Sequence, residues 1–215
     1  MKADRKRALI IGAHPDDEIL GCGGTIFKLQ ELGYDFYVLI LTKAYIPDWT
    51  MDYIRWSVEV QKKVDKKVGI IKRYNFDYPT VMLNNIPHGD MTKEIKKVID
   101  EVNPELIFTH HCDLNLDHEI VGHCTLAAAR PPNRAKILAY EVPSSTELSP
   151  HPFKPNLYIS LGKNHLERKL NVYKLYSKEI KPSRSERKVR TLATKRGDDI
   201  LANYAEAFII LREVI

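Results

Sequence analysis

A regular alternation of short apolar runs with helix-like segments constrains the fold of this chain more than any other feature of the sequence. Five apolar runs predict strands, at 8–11, 36–41, 70–75, 106–109 and 137–142. The intervening patterns predict helices at 23–32, 51–68, 90–102 and 119–129. Strands that alternate with helices form parallel sheets. We therefore predict an α/β fold, a Rossmann-like three-layer sandwich with a mostly parallel central sheet.

The ends of two predicted helices are marked by residues that stop helices. Gly69 follows the pattern over 51–68 and is a plausible C-cap, and Asn103-Pro104 follows the pattern over 90–102. Further patterns predict a strand at 157–160, a helix at 166–176 and a final strand at 208–211. In the commonest order of such sheets, strands one and four are neighbours, and ligands bind beyond their carboxyl ends.

Length and composition are those of one ordinary domain. The chain has 215 residues, of which 44% are hydrophobic and 28% are charged. We predict a single domain over 1–215, with a core at 7–142 and a C-terminal extension at 143–215 that closes the site. No run approaches the roughly 18 apolar residues of a membrane span. Three cysteines without C-x-x-C spacing favour a reducing cytoplasm over a disulfide framework.

The net charge of +5 is concentrated in a basic segment at 181–196. Such a segment is usually a solvated helix face, and the alternative is a patch for an anionic substrate such as a sugar phosphate or nucleotide sugar. Nucleic acid is not expected as a partner, because neither interleaved aromatic residues nor a known motif accompanies the basic residues. The sequence leaves the formation of a homo-oligomer open.

The densest cluster of metal-type side chains follows the first predicted strand, in Ala13-His14-Pro15-Asp16-Asp17-Glu18. His14 and Asp17 are three residues apart on a tight turn, so both side chains can reach one metal ion. Asp16 lies between them, close to the metal but free for another role. Three carboxylates this close repel one another, and a cation is the simplest partner that relieves the repulsion.

A second cluster follows the fourth predicted strand. It contains His110, His111, Asp113, Asp117 and His118. If strands one and four are neighbours, their carboxyl ends meet at one edge of the sheet, and the two clusters face each other across one crevice. The sequence therefore predicts a metal or ligand site at this edge.

Five motifs together resemble one known family. They lie at 13–18, 21–25, 113–118, 141–147 and 204–208, so they cover nearly the whole chain. The chain resembles the LmbE-like family of zinc-dependent N-deacetylases, which includes the PIG-L N-acetylglucosaminyl-phosphatidylinositol deacetylases. The resemblance implies that His14, Asp17 and His118 bind a zinc ion, Zn2+, and that Asp16 is the general base.

This chain departs from the family pattern at Asn115. Many members have a histidine there that stabilises the oxyanion or protonates the leaving amine. Because consecutive residues of a strand point to opposite faces, we expect only one of His110 and His111 to enter the crevice, and we favour His111. Asp117 is expected to orient a histidine or to cap the following helix. Arg55 is a candidate for binding a substrate phosphate or hydroxyl, and a surface arginine is the equal alternative.

These inferences predict a zinc hydrolase that removes an acetyl group from an N-acetylated amino sugar, a small-molecule substrate. Two alternatives remain open at this point. One is a zinc hydrolase that acts on a non-sugar amide. The other is a non-catalytic protein that binds a sugar or nucleotide in the same crevice.

Overall fold

The computed structural model describes residues 5–214, so residues 1–4 and 215 of the predicted domain lie outside the described residues. Seven strands lie within this range: β1 (Lys6–Gly12), β2 (Tyr34–Lys43), β3 (Lys72–Pro79), β4 (Leu106–His110), β5 (Lys136–Tyr140), β6 (Leu157–Leu161) and β7 (Tyr204–Arg212). The α-helices of the same range are α1 (Asp17–Glu31), α2 (Met51–Val68), α3 (His88–Val102), α4 (Leu116–Ala128), α5 (Lys163–Tyr173) and α6 (Glu186–Asp198).

The strands form one mostly parallel sheet in the order β3-β2-β1-β4-β5-β7-β6. β1 pairs in parallel with both β2 and β4, with Ala8 opposite Phe36 on one side and Leu106 on the other. The prediction that strands one and four are neighbours is therefore confirmed. β7 differs from the first five strands, because it runs antiparallel between β5 and β6.

Two hydrophobic clusters enclose the sheet, and alternate residues of each central strand contribute to opposite clusters. On β1, Ala8 and Ile10 belong to a cluster that includes buried residues of α1, α2, α5 and α6. Leu9 and Ile11 belong to the other cluster, which includes buried residues of α3 and α4. The central strands read as unbroken apolar runs because both of their faces are covered.

Several predicted boundaries are confirmed. α2 spans Met51–Val68 as predicted and ends at Gly69, whose φ of 84° and N–H bond to Asp65 form a left-handed C-cap. α3 ends as predicted at Asn103, which has a φ of 45°. The helix that follows β6 lies earlier than predicted, at Lys163–Tyr173, and continues as a short 3-10 turn over 174–176.

The prediction for α1 was wrong at its start, because this helix begins at Asp17 and not at residue 23. Its three glycines therefore lie inside the helix, where close packing requires them. A Cβ at Gly21 would lie 2.3 Å from the ring of Tyr140, and one at Gly24 would lie 2.4 Å from Leu161. Asp17 is thus a residue of the helix itself and not of the preceding loop.

Two further expectations concern the bilayer and the thiols. Within residues 5–214, no helix combines the length and the apolar character needed to cross a membrane. Cys22, Cys112 and Cys124 are free thiols, as their spacing predicts.

Candidate metal centre

The site begins where β1 passes into α1. Asp16 has a φ of 118°, a backbone conformation that non-glycine residues rarely adopt. Its N–H donates to Oε2 of Glu18 at 3.1 Å, and Asp17 Oδ2 accepts the N–H of His14 at 2.7 Å. These two bonds form the turn within the motif itself, and they direct the Asp16 and Asp17 carboxylates to different neighbours.

The parallel pairing of β1 with β4 brings three metal-type ligands together. His14, Asp17 and His118 each offer one ligand atom, and these atoms all lie within 4.8 Å of one another. Nδ1 of His14 lies 3.5 Å from Oδ2 of Asp17, and Nε2 of His118 lies 3.6 Å from Oδ1 of Asp17. Asp17 and His118 are buried, whereas His14 is partly exposed. The predicted meeting of the two loops is confirmed.

In His14 and in His118, the ring nitrogen that does not face Asp17 lies beside another carboxylate. Nδ1 of His118 lies 2.9 Å from Oδ2 of Asp113, and Nε2 of His14 lies 3.2 Å from Oδ2 of Asp117. Both carboxylates are anchored in turn. Asp113 accepts a bond from the hydroxyl of Thr146, and Asp117 accepts bonds from backbone N–H groups at 81 and 83. Sequence reasoning assigned Asp117 to such a role but missed Asp113, although this residue lies in the quoted motif.

The electrostatics of the cluster are strongly perturbed. Burial lowers the pKa of His14, but the carboxylates of Asp117 and Asp17 outweigh it and raise this pKa to about 10. Burial alone would raise the pKa of Asp17, but the neighbouring rings of His118 and His110 hold it well below its usual range. The cluster therefore favours a positive charge among these side chains.

The residues present fit a zinc ion. Two imidazoles and one carboxylate are a common ligand set for zinc with an open coordination position, and magnesium prefers oxygen ligands alone. The carboxylates on the distal nitrogens orient the rings, as is usual for metal-binding histidines. Oδ2 of Asp16 is buried and has no hydrogen-bond partner within the described residues, so it is free to bond a further group at this place.

A cavity of about 190 Å³ opens beside His14, one of the three ligands. Its lining includes His14, Asp16, Trp49, Tyr53, Thr80, Asn115, Glu179, Lys181 and Arg184. Nη1 of Arg184 lies 3.4 Å from Oδ2 of Asp16, and its Nη2 donates to Glu179. Burial raises the pKa of Asp16 well above its usual value, and the charge of Arg184 opposes part of that rise.

Sequence reasoning did not single out Arg184 as a site residue. It lies in the basic segment at 181–196, for which a solvated face and an anion patch were the two interpretations. The ends of this segment have different environments, since Arg184 reaches the cavity whereas Arg196 forms a buried pair with Glu141. The segment also contains most of α6, a helix for which we predicted no bounds.

The two histidines at the end of β4 point in different directions, as strand alternation predicts. His110 is buried, stacks on His118 with ring centroids 3.9 Å apart, and accepts the N–H of Ala13 at Nε2. Burial lowers the pKa of His110 to about 4. His111 instead lies against Phe153, and its Nε2 lies 3.2 Å from the backbone oxygen of His151.

Neither ring lines the cavity that contains Asp16. The expectation that His111, and not His110, points toward the metal ligands therefore differs from the structure, in which His110 packs beneath them. The reason is that β4 extends through His110, whose Nε2 lies 3.1 Å from Oδ2 of Asp17. The catalytic role of His111 stays a prediction.

Asn115 and Arg55 occupy different environments. Asn115 is the N-cap of α4, with its side chain accepting the N–H of Asp117 at 3.0 Å, and it also lines the cavity. Arg55 lies on an exposed position of α2 and does not line the cavity, whereas Tyr53 of the same helix does. The structure thus favours the surface alternative for Arg55 in this conformation.

Fold and site together define an α/β protein with a three-ligand metal-type site at the carboxyl edge of its sheet. Residues 9–129 match the family model described as "PIG-L: GlcNAc-PI de-N-acetylase". Because this match covers more than half of the chain, the protein belongs to the PIG-L family, also called LmbE-like.

Known relatives agree with this membership. The chain is 28% identical over 176 residues to the uncharacterized deacetylase YaiS of Escherichia coli K12, a match that covers 79% of this chain and 90% of that protein. The structure resembles N,N'-diacetylchitobiose deacetylase from Pyrococcus horikoshii, with a TM-score of 0.78 and 20% identity over 97% of this chain and 84% of the other.

A second similar structure is that of a protein with a different activity. GalB of Pseudomonas putida, a 4-carboxy-2-hydroxymuconate hydratase, has a TM-score of 0.72 and 16% identity, with 98% of each chain covered. At such low identity, both structural likenesses show a shared fold and no more. The reaction must therefore be argued from the side chains of the site.

Proposed function

We propose that this protein is a cytoplasmic, zinc-dependent N-deacetylase that removes the acetyl group from an N-acetylated amino sugar or sugar conjugate. The observation that carries the proposal is the convergence of His14, Asp17 and His118 beside Asp16, whose buried Oδ2 has no hydrogen-bond partner in residues 5–214. This arrangement lies beyond the carboxyl ends of β1 and β4 in a mostly parallel sheet, at a switch point of the kind where α/β proteins bind their ligands.

His14, Asp17 and His118 would hold the zinc ion. When bound, zinc polarises an amide carbonyl and lowers the pKa of a coordinated water to about 7. Asp113 and Asp117 would fix the two imidazole rings so that one nitrogen of each stays directed at the metal. His110 would support the cluster from below, because it packs on His118 and bonds to the backbone at Ala13.

Asp16 would serve as the general base. Asp16 lines the cavity, so its carboxylate can take the proton of the attacking water, and His111 would then carry a proton to the departing amine. Arg184, at 3.4 Å, would offset part of the pKa rise that burial causes in this carboxyl, and it would also favour negative charge that develops on the substrate.

The cavity is suited to a sugar. Trp49 and Tyr53 give it an aromatic wall, while Thr80 and Asn115 add neutral polar groups. Aromatic faces with a few polar groups are typical of small-molecule sites. The family description names an N-acetylated sugar, which supports the same substrate class for this chain.

Acetate release across a panel of compounds tests the proposal. The purified enzyme, with its zinc content measured, is incubated with N-acetylglucosamine, diacetylchitobiose, N-acetylated sugar conjugates and simple N-acetyl amides. We expect release from the sugars that depends on bound metal and is lost in Asp16→Asn. Release from only the simple amides would favour a non-sugar substrate. Sugar binding without any release would favour a binding protein.

A further inference from the structure

A second cavity lies between α6 and the proline-rich segment at 143–155. Its volume is about 480 Å³, within the range of small-molecule sites. Its lining includes Thr146, Ser149, Phe153, Arg187, Thr191 and Lys195, and it shares no residue with the cavity that contains Asp16. The proposed deacetylation does not involve this cavity, and α6 lies outside the residues that match the family model.

One face of α6 supplies the charge of this cavity. Arg187, Thr191 and Lys195 are spaced at i, i+4 and i+8, so they lie one above another on the helix. Lys188 and Leu192 belong to the same lining. At 1.5 Å per residue, Arg187 and Lys195 are about 12 Å apart along the helix axis. The helix therefore presents two separated positive charges with a hydroxyl between them.

These positive charges are not neutralised by neighbouring side chains. Arg196, a fourth cation of the lining, is paired with Glu141 by two bonds of 2.7 Å and stacks on Phe153. Arg187, Lys188 and Lys195 form no ion pair within residues 5–214, and Glu147 is the remaining carboxylate of the lining. The cavity thus carries a surplus of two positive charges.

We propose that this cavity binds a small molecule that carries two phosphate groups. Two cationic residues whose backbone positions are about 12 Å apart along the helix suit two separated anionic groups better than a single one, because a second cation of the lining adjoins each of them in sequence. The limited volume, with Phe153 and Leu192 in its wall, favours a compact ligand over an extended polymer.

Calorimetric titration with fructose 1,6-bisphosphate tests this site in the metal-loaded enzyme. This probe is chosen only for its two separated phosphates. Fructose 6-phosphate and sodium chloride of equal ionic strength are titrated in parallel. We expect saturable binding of the bisphosphate, weaker binding of the monophosphate and no saturable heat with the salt. Equal affinity for both sugars, or no saturable binding, would overturn the proposal.

The double variant Arg187→Ala/Lys195→Ala locates the binding. We expect its affinity for the bisphosphate to fall at least about tenfold, the loss expected when a charge-assisted bond is removed. Lys63→Ala/Lys97→Ala removes the same charge from exposed positions of α2 and α3, and it should bind as the unchanged protein does. Equal weakening in both double variants would show a nonspecific charge effect and would contradict the site. All four side chains are exposed, so both proteins should fold, as circular dichroism would verify.

Discussion

Asp16 combines three features that proteins ordinarily avoid. Its carboxylate is buried, its Oδ2 lacks a hydrogen bond in the described residues, and its backbone is left-handed. Such a conformation costs about 1–3 kcal/mol in a non-glycine residue. Glu18 holds it by accepting the Asp16 N–H, and Glu18 is fixed by Arg73 at 2.9 Å and by the hydroxyl of Tyr176 at 2.7 Å. Strain at this residue is typical of a functional site.

The first prediction concerns the carboxylate of Asp16. Asp16→Asn keeps the shape of the side chain and removes the base, so turnover should fall at least ~10²-fold while zinc stays bound. Acetate release and metal stoichiometry, measured on the same preparation, check both parts. Near-normal turnover would place the base elsewhere, and loss of zinc would make Asp16 a ligand.

The second prediction separates His110 from His111. Nε2 of His110 already accepts the N–H of Ala13, so this nitrogen cannot deliver a proton to a substrate, and His110→Ala should lower stability. His111 is partly exposed and makes one ring–backbone contact, so it remains the better proton carrier. His111→Ala should lower turnover ~10²-fold with zinc retained. Thermal unfolding and kcat, measured for both variants, check this division, and full activity in His111→Ala would exclude the residue.

At the scale of elements, glycines allow α1 to pack closely against the sheet. The third prediction is that Gly21→Ala destabilises the fold, because its Cβ would lie 2.3 Å from the buried ring of Tyr140. We expect this overpacking to lower the free energy of unfolding by about 1–3 kcal/mol, which urea unfolding would measure. Gly89→Ala in α3 is the matched control, since nothing lies within 4 Å of its added Cβ. The control should be neutral or stabilising by up to ~1 kcal/mol. Equal effects of the two changes would contradict the packing argument.

Some helices could be predicted from the sequence and others could not, because only some are determined by local patterns. α2 and α3 have one apolar stripe and ordinary stop residues, so their ends could be read from the sequence. The start of α1 could not, because glycines disfavour helices and only tertiary packing against β5 and β6 makes them suitable there. α6 was not predicted for another reason, because only two of its four buried residues, Val189 and Ala193, are hydrophobic, and the other two are Arg196 and Gly197.

At the scale of the whole molecule, the metal ligands join two distant parts of the chain. The fourth prediction is about one zinc per chain, lost in His14→Ala and in His118→Ala. Because the ion would link the loop after β1 to α4, chelation should also lower the melting temperature of the unchanged protein. It should have little effect on the two variants. His123→Ala is the control, since this side chain is 66% exposed and lies outside the cluster. Full zinc content in both ligand variants would refute the assignment.

The sequence predicted the meeting of the two loops because parallel neighbours share one edge of a sheet. It could not predict Arg184, which reaches Asp16 across 168 positions through a turn without periodic pattern. The link from Thr146 to Asp113 is a similar case, because it depends on how the proline-rich segment folds back onto β4. Patterns in a sequence predict local structure and strand order, but they do not predict which residues the irregular segments contact.

The antiparallel position of β7 has a consequence for how the protein is made. The ribosome completes β7 after the other six strands, yet β7 lies between β5 and β6 in the sheet. Until Tyr204–Arg212 emerge, β6 has no partner in the sheet, and the N–H groups of Gly24 and Thr25 lack their acceptor, Glu206. The nascent chain can therefore assemble the five strands β1 to β5 early, but β6 joins the sheet only after β7 has left the ribosome.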